Sequence, residues 1–309
     1  MNPTSSSPLH TPLPATPKSA TGRALVLGGG GSGGNAWLIG VLAGLFDAGL
    51  DVTGADLTIG TSAGSTAAIQ IAGTPLDELL AATLATPTPD QGPARNPSAP
   101  NRSASGHLAR IGKIIAVAQD AADMRRRIGA AALELATASD GSWQAQWRNT
   151  VASRLPNQNW PERRILITAI NAGNGEPAVF DRHSGVELAD AVAASCSSAL
   201  PYRIGSEQYL DGGYRRNENA DLATGFARVL VLAPFGGRTL HPLDRGLQLE
   251  AQVAELRAGG SEVATVFPDG SSEHLFGANA MDLSLRPAAA RAGHHQGSLL
   301  AEQLSEFWR

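Results

Sequence analysis

Ser62 stands in Gly60-Thr61-Ser62-Ala63-Gly64, a pattern in which a serine sits on the sharp turn between a strand and a helix and presents its hydroxyl to an acyl carbonyl. Small flanking residues are a steric requirement of that turn, and Gly60 and Gly64 meet it. The helix N-terminus behind the serine favours developing negative charge. With 35 glycines in 309 residues the pattern recurs by chance, and Gly30-Gly31-Ser32-Gly33-Gly34 satisfies it too. Ser32, however, lies between glycines that cannot brace it and reads as part of a loop. Taken alone, Ser62 fits a small residue capping a helix as well as it fits a nucleophile.

A serine nucleophile needs a base, and a tetrahedral intermediate needs donors aimed at its oxyanion. The cluster Gly28 to Gly34 lacks obstructing side chains, so the N–H groups of Gly29, Gly30, Gly31, Ser32, Gly33 and Gly34 can converge on an anion near a helix N-terminus. The same glycines formally fit a dinucleotide fingerprint. That site wants an acidic residue at the end of the second strand, where this chain has its serine elbow instead; Asp51 and Asp56 precede or begin that strand. No cofactor is expected. His294-His295 lacks nearby acidic or cysteine companions, so no metal site is expected either. Cys196, set among serines, reads as a buried small residue with no paired base.

These residues must be positioned by strands and helices. Arg23 to Leu27 is a short apolar run entering the glycine cluster, after which Trp37, Val41, Leu42 and Leu45 recur at helical spacing. Leu57 to Ile59 leads into the elbow, and Thr66 to Ala72 reads as a buried helix. Further strands are predicted over Arg164 to Ile170, Pro177 to Phe180, Gln208 to Leu210 and Arg228 to Ala233, and a helix over Val186 to Ser195. Alternation of this kind predicts a parallel or mixed sheet covered on both faces. Leu108 to Ala138 carries apolar residues at helical spacing. These helices, within 107–139, either cap an active site or simply pack on the core. Residues 86–106 have the Pro, Asn, Ser and Gly content of an exposed loop, and residues 1–22 that of a mobile tail. Residues 23–309 are expected to form a single domain.

The net charge of −4 gives no broad attraction to phosphate backbones, and aromatic content of 5% gives no stacking surface, so nucleic acid is not an expected partner. A single cysteine forms no internal disulfide, and the apolar runs are too short to span a bilayer. A reduced, cytoplasmic compartment is the expectation.

A Gly-rich turn, a Gly-x-Ser-x-Gly elbow about 30 residues later and a distant Asp-Gly-Gly together resemble the patatin-like phospholipases. Leu27 to Gly34 with Gly40-Val41-Leu42 resembles that family's oxyanion segment, Gly60 to Ser65 its elbow, and Asp211-Gly212-Gly213 its third motif. Ala194-Ser195 with Pro201 is similar to the segment before it. The likeness implies a three-layer α/β/α sandwich with a mainly parallel central sheet. It implies a Ser-Asp dyad in which Asp211 takes the Ser62 proton, a lipid or ester substrate, and transient contact with a membrane surface. Gly33 departs from the pattern, since the family usually has Arg or Lys there. Charge assistance there is missing, which implies either weaker activity or a preference shifted away from anionic phospholipids. Two other readings stay open: a Ser62-Asp211-His274 triad on an α/β-hydrolase fold, and a catalytically silent module that binds lipid or protein.

Overall fold

The structure is a computed structural model that describes residues 20–86, 102–139, 141–239 and 241–309. The expected tail falls largely on residues outside these, as does most of the expected loop; the last residues of that loop are instead the start of a helix at Arg102.

Short, wholly apolar strands survive only where both faces are covered. β1 (Arg23–Leu27) is apolar after its arginine, β2 (Leu57–Thr61) adds only two threonines to its apolar residues, and both are buried almost throughout. They pair in parallel with each other, β1 pairs in parallel with β7 (Arg228–Leu232), and β7 with β8 (Glu262–Val266). On the other side β2 pairs in parallel with β3 (Ile165–Asn171). β3 is joined antiparallel by β4 (Pro177–Phe180) and β6 (Glu207–Asp211), and β6 by β5 (Tyr202–Ile204). The eight strands form one sheet in the order β5-β6-β3-β2-β1-β7-β8, with β4 off this path on β3.

The two-residue period of the strands sorts the core into layers. Leu25, Leu27, Leu230 and Leu232 face one side, under α1 (Gly31–Asp47), α2 (Ala63–Gly73), α7 (Leu188–Ser195) and α9 (Arg286–Trp308). Ala24, Val26, Val229 and Val231 face the other, under α8 (Leu249–Ala258) and a 3-10 turn at Ala220–Ala223. The fold is therefore a three-layer α/β/α sandwich around a mainly parallel sheet.

α3 (Leu76–Leu84) and α6 (Ser142–Ala152) complete the first layer. α4 (Arg102–Val117) and α5 (Ala121–Thr137) form a separate cluster with Ile170, Ala172, Leu210 and Tyr214 at the β3–β6 end of the sheet. α5 lies so close that a Cβ on Gly129 would stand 2.1 Å from the Ala172 carbonyl oxygen.

Candidate active site

β3 explains how two residues 149 positions apart meet. A strand has two hydrogen-bonding edges. β4 occupies one edge over Ile167–Ile170, so β2 and β6 must share the other. β2 runs along it in parallel until Thr61 faces Thr168; β6 runs antiparallel until Asp211 faces Ala169, the next register position. The C-terminal ends of β2 and β6 thus meet head to head, with Ser62 leaving one and Asp211 ending the other.

Ser62 has φ 54° and ψ −117°, one of two non-glycine residues with positive φ among the described residues. This is the strained elbow, and its surroundings hold it. Its N–H donates to Ser195 Oγ at 2.9 Å, and its carbonyl accepts from Ser65 Oγ at 2.6 Å and from Cys196 Sγ at 3.2 Å. A Cβ on Gly64 would stand 1.9 Å from the Leu27 carbonyl oxygen, and one on Gly60 2.5 Å from Ser65 Cα. The flanking glycines are therefore imposed by close approach of the backbone.

Asp211 Oδ1 accepts the Gly213 N–H at 2.8 Å, and the Ser62 side chain lies near enough to favour the charged carboxylate. Withdrawal of the carboxyl from water pushes its pKa up to about 6, against the pull of the Gly213 hydrogen bond and of the nearby Ser62. Gly212 allows the turn, since its Cβ would stand 2.2 Å from Thr168 Oγ1. Burial likewise pushes the Cys196 thiol up to about 11, so it stays protonated and serves as a donor to the elbow.

The glycine segment lies beside this pair, with a Cβ on Gly29 3.6 Å from Ser62 Cβ. Three of its N–H groups are already committed: Gly29 to the Asn217 carbonyl at 3.1 Å, Gly33 to that of Ala280 at 2.8 Å and Gly34 to that of Gly30 at 2.9 Å. This corrects the expectation of six converging donors. Gly30, Gly31 and Ser32, at the start of α1, keep N–H groups that point out of the helix end.

His274 does not join the pair. It sits on an exposed 3-10 turn with Nδ1 on the Ser271 carbonyl, at 3.0 Å. His294 is held by Asp47 at 2.8 Å. Among the described residues no three His, Cys, Asp or Glu side chains gather as a metal-ligand set, and no helix is long and apolar enough to cross a membrane.

Sequence reasoning missed the residues that brace the pair. Asn219, fully buried with φ 53°, directs Nδ2 at Thr61 Oγ1 (3.0 Å), Thr168 Oγ1 (3.2 Å), the Gly212 carbonyl (3.2 Å) and the Arg216 carbonyl (2.7 Å). It ties the strand before Ser62 to the turn after Asp211. Asn217 clamps Gly29 from both sides, its carbonyl accepting the Gly29 N–H and its Nδ2 donating to the Gly29 carbonyl at 3.2 Å. An Asn-rich stretch after Asp-Gly-Gly was the available signal, since Asn tolerates the left-handed conformation. We expect Asn219→Ala to cost about 2–4 kcal/mol in urea unfolding, because several buried acceptors lose a donor at once. Asn219→Gly, which keeps the backbone conformation without strain, should lose nearly as much; recovery to wild-type stability in that variant would show that φ, and not the amide, is what matters.

A model of the patatin-like phospholipase family matches residues 25–224, well over half of the chain. The chain belongs to the patatin-like phospholipase family. That match spans the glycine segment, the elbow and Asp211 together. Among solved structures, this patatin-like chain is similar to VipD from Legionella pneumophila, with 12% identity, a TM-score of 0.40 and coverage of 93% of this chain and 67% of VipD. It is also similar to the type III effector ExoU, with 17% identity, a TM-score of 0.33 and coverage of 89% and 53%. A second ExoU structure, in complex with SpcU from Pseudomonas aeruginosa, gives 17% identity and a TM-score of 0.38 over 94% and 53%. The chain spans about half the length of ExoU. No curated protein matches the sequence.

Proposed function

We propose that the protein is a carboxylic ester hydrolase acting on lipid or ester substrates through a Ser62-Asp211 dyad and an acyl-enzyme. The observation that carries this is the contact between the strained Ser62 and a carboxylate whose pKa is raised to about 6. A base of that strength is ionised at neutral pH yet strong enough to draw a proton from a hydroxyl as it attacks. In the forward half-reaction Asp211 accepts the Ser62 proton while Oγ bonds to the ester carbonyl carbon, then passes it to the departing alkoxide. Water repeats the sequence on the acyl-enzyme, and Asp211 returns the proton to Ser62. The N–H groups of Gly30, Gly31 and Ser32 are the proposed oxyanion donors, aided by the positive end of α1. Residues 23–309 act as one hydrolase domain, with α4 and α5 covering the Tyr214 side.

A fluorophosphonate probe tests the assembly directly. Wild type should be labelled on Ser62, and a folded wild type that resists labelling would favour the silent module.

The pH profile tests Asp211. Ionised carboxylate is the active form, so log kcat/KM should climb with unit slope below pH about 6 and level off above about 7. Stability should run the other way. The folded value lies above the ordinary 3.8, so the native state binds more protons than the unfolded chain and loses stability as pH rises from about 4 through 6. Asp211→Asn removes that loss and should be more stable than wild type at pH 8 by on the order of 3 kcal/mol while losing most activity. Equal stability of the two at pH 8 and pH 4 would refute a desolvated carboxylate.

A further inference from the structure

Residues 275–286 lie beyond the family match, yet they pack directly on the glycine segment. The Ala280 carbonyl accepts the Gly33 N–H at 2.8 Å. A Cβ on Gly31, whose φ is 63°, would stand 2.8 Å from that same oxygen, and one on Gly33 3.1 Å from the Leu275 carbonyl oxygen. Main chain therefore crowds the place where a side chain at position 33 would begin.

Arg286, the first residue of α9, reaches across to the first turn of α1. Its Nη1 donates to the Ser32 carbonyl at 2.9 Å and to Ser32 Oγ at 3.3 Å, and its Nη2 to Asn35 Oδ1 at 3.1 Å. Asn35 is itself tied to α2, donating Nδ2 to Gln70 Oε1 at 3.0 Å and, more weakly, to the carbonyl of Ala63, the residue after Ser62, at 3.5 Å. One guanidinium thus joins the turn that carries the proposed oxyanion donors to the helix behind the nucleophile. All of its partners are neutral, and among the described residues no carboxylate pairs with it.

For the helix alone this is the wrong charge. Unsatisfied N–H groups and the macrodipole already concentrate positive charge at a helix N-terminus, and a partly buried cation is normally paired. Burial accordingly holds the Arg286 guanidinium below its ordinary range. An arrangement that costs free energy in the resting protein contributes when negative charge appears at that helix end. In ester hydrolysis such charge develops on the carbonyl oxygen only as the tetrahedral intermediate forms.

We propose that Arg286 is a positioning residue for the oxyanion: it clamps Ser32 so that the Gly30, Gly31 and Ser32 N–H groups stay aimed at one point, and it sets a positive charge behind them. The inference rests on the ester-hydrolase reading and deepens it. The charge that Gly33 does not carry is supplied from α9, at the end of a segment whose own main chain crowds position 33.

A charge that acts on the transition state and not on the bound ester is read in kcat. With p-nitrophenyl butyrate, and with folding of each protein checked by circular dichroism, Arg286→Gln should lower kcat about 10- to 100-fold and leave KM within about twofold of wild type. Arg286→Lys keeps the charge but lacks the fork that spans Ser32 and Asn35, and should recover part of the loss. Arg286→Ala should regain rate in millimolar guanidinium chloride while wild type gains nothing, a rescue that a residue needed only for folding does not give. Unchanged kcat in Arg286→Gln, a loss confined to KM, or a loss that neither lysine nor guanidinium relieves would overturn the proposal. An inactive wild type would sink the hydrolase reading instead, and amide exchange followed by NMR would then decide the clamp. The Gly33 and Gly34 N–H groups, bonded to the Ala280 and Gly30 carbonyls, should exchange about 10-fold faster in Arg286→Gln; equal exchange in the two proteins overturns the clamp.

Discussion

Ser62→Ala should hydrolyse p-nitrophenyl butyrate at least about 10³-fold more slowly than wild type while remaining fully folded, since removal of a covalent nucleophile leaves only the contributions of binding and oxyanion donors. The same position makes a second, opposite forecast. With φ 54° and ψ −117°, Ser62 occupies a conformation that costs a side-chain-bearing residue about 1–3 kcal/mol. Ser62→Gly relaxes that strain and should unfold at a higher temperature than wild type, with activity as low as that of the alanine variant. The pairing of lost activity with gained stability is what separates a nucleophile held under strain from a serine that merely caps α2. A capping serine would lose stability on truncation, by about 1 kcal/mol, and the rate would barely change. No side-chain cap bond is made by Ser62 to α2, which already argues against the capping role.

The first half of the site was legible because its requirements are local. A strand, a Gly-bounded serine and a helix are contiguous, and the glycines at 60 and 64 are dictated by backbone atoms of neighbouring segments. β1, β4 and the helix at Ala63–Gly73 lie where periodicity puts them. Asp211 is different, because nothing in Asp-Gly-Gly distinguishes it from an ordinary turn. Its place is fixed by β2 and β6 sharing one edge of β3, a fact of pairing between distant strands that only family resemblance could anticipate. The donors of the glycine segment were over-counted for the same reason: the carbonyls that occupy Gly29 and Gly33 come from Asn217 and Ala280, far along the chain. Beyond Ala233 almost nothing was read. α8 and α9 have little net hydrophobicity to mark them, and α9 carries Gly-His-His-Gln-Gly in its middle, a string that periodicity alone does not assign to a buried helix.

That string is the reason α9 packs as it does, and it yields the largest expected effect on folding. α1 presents Gly40 and Gly44, four residues apart, and α9 presents Gly293 and Gly297 with the same spacing. One face of each helix is thereby stripped to backbone. A Cβ on Gly40 would stand 2.2 Å from the Ala290 carbonyl oxygen, one on Gly44 2.1 Å from that of His294, one on Gly293 2.4 Å from that of Trp37 and one on Gly297 2.3 Å from that of Val41. No rotamer change relieves such contacts, because the obstacle is main chain. Gly44→Ala must therefore push the helices apart and open the core around Leu42 and Leu45, at a cost of about 3–5 kcal/mol and roughly 10 °C in Tm. In a helix interior the same change normally gains up to about 1 kcal/mol from propensity. Gly112→Ala on α4, where nothing lies within 4 Å of the added methyl, should show that gain and so provides the internal control. If both glycine variants changed Tm by the same small amount, the interhelical contact would not be as close as the backbone positions require.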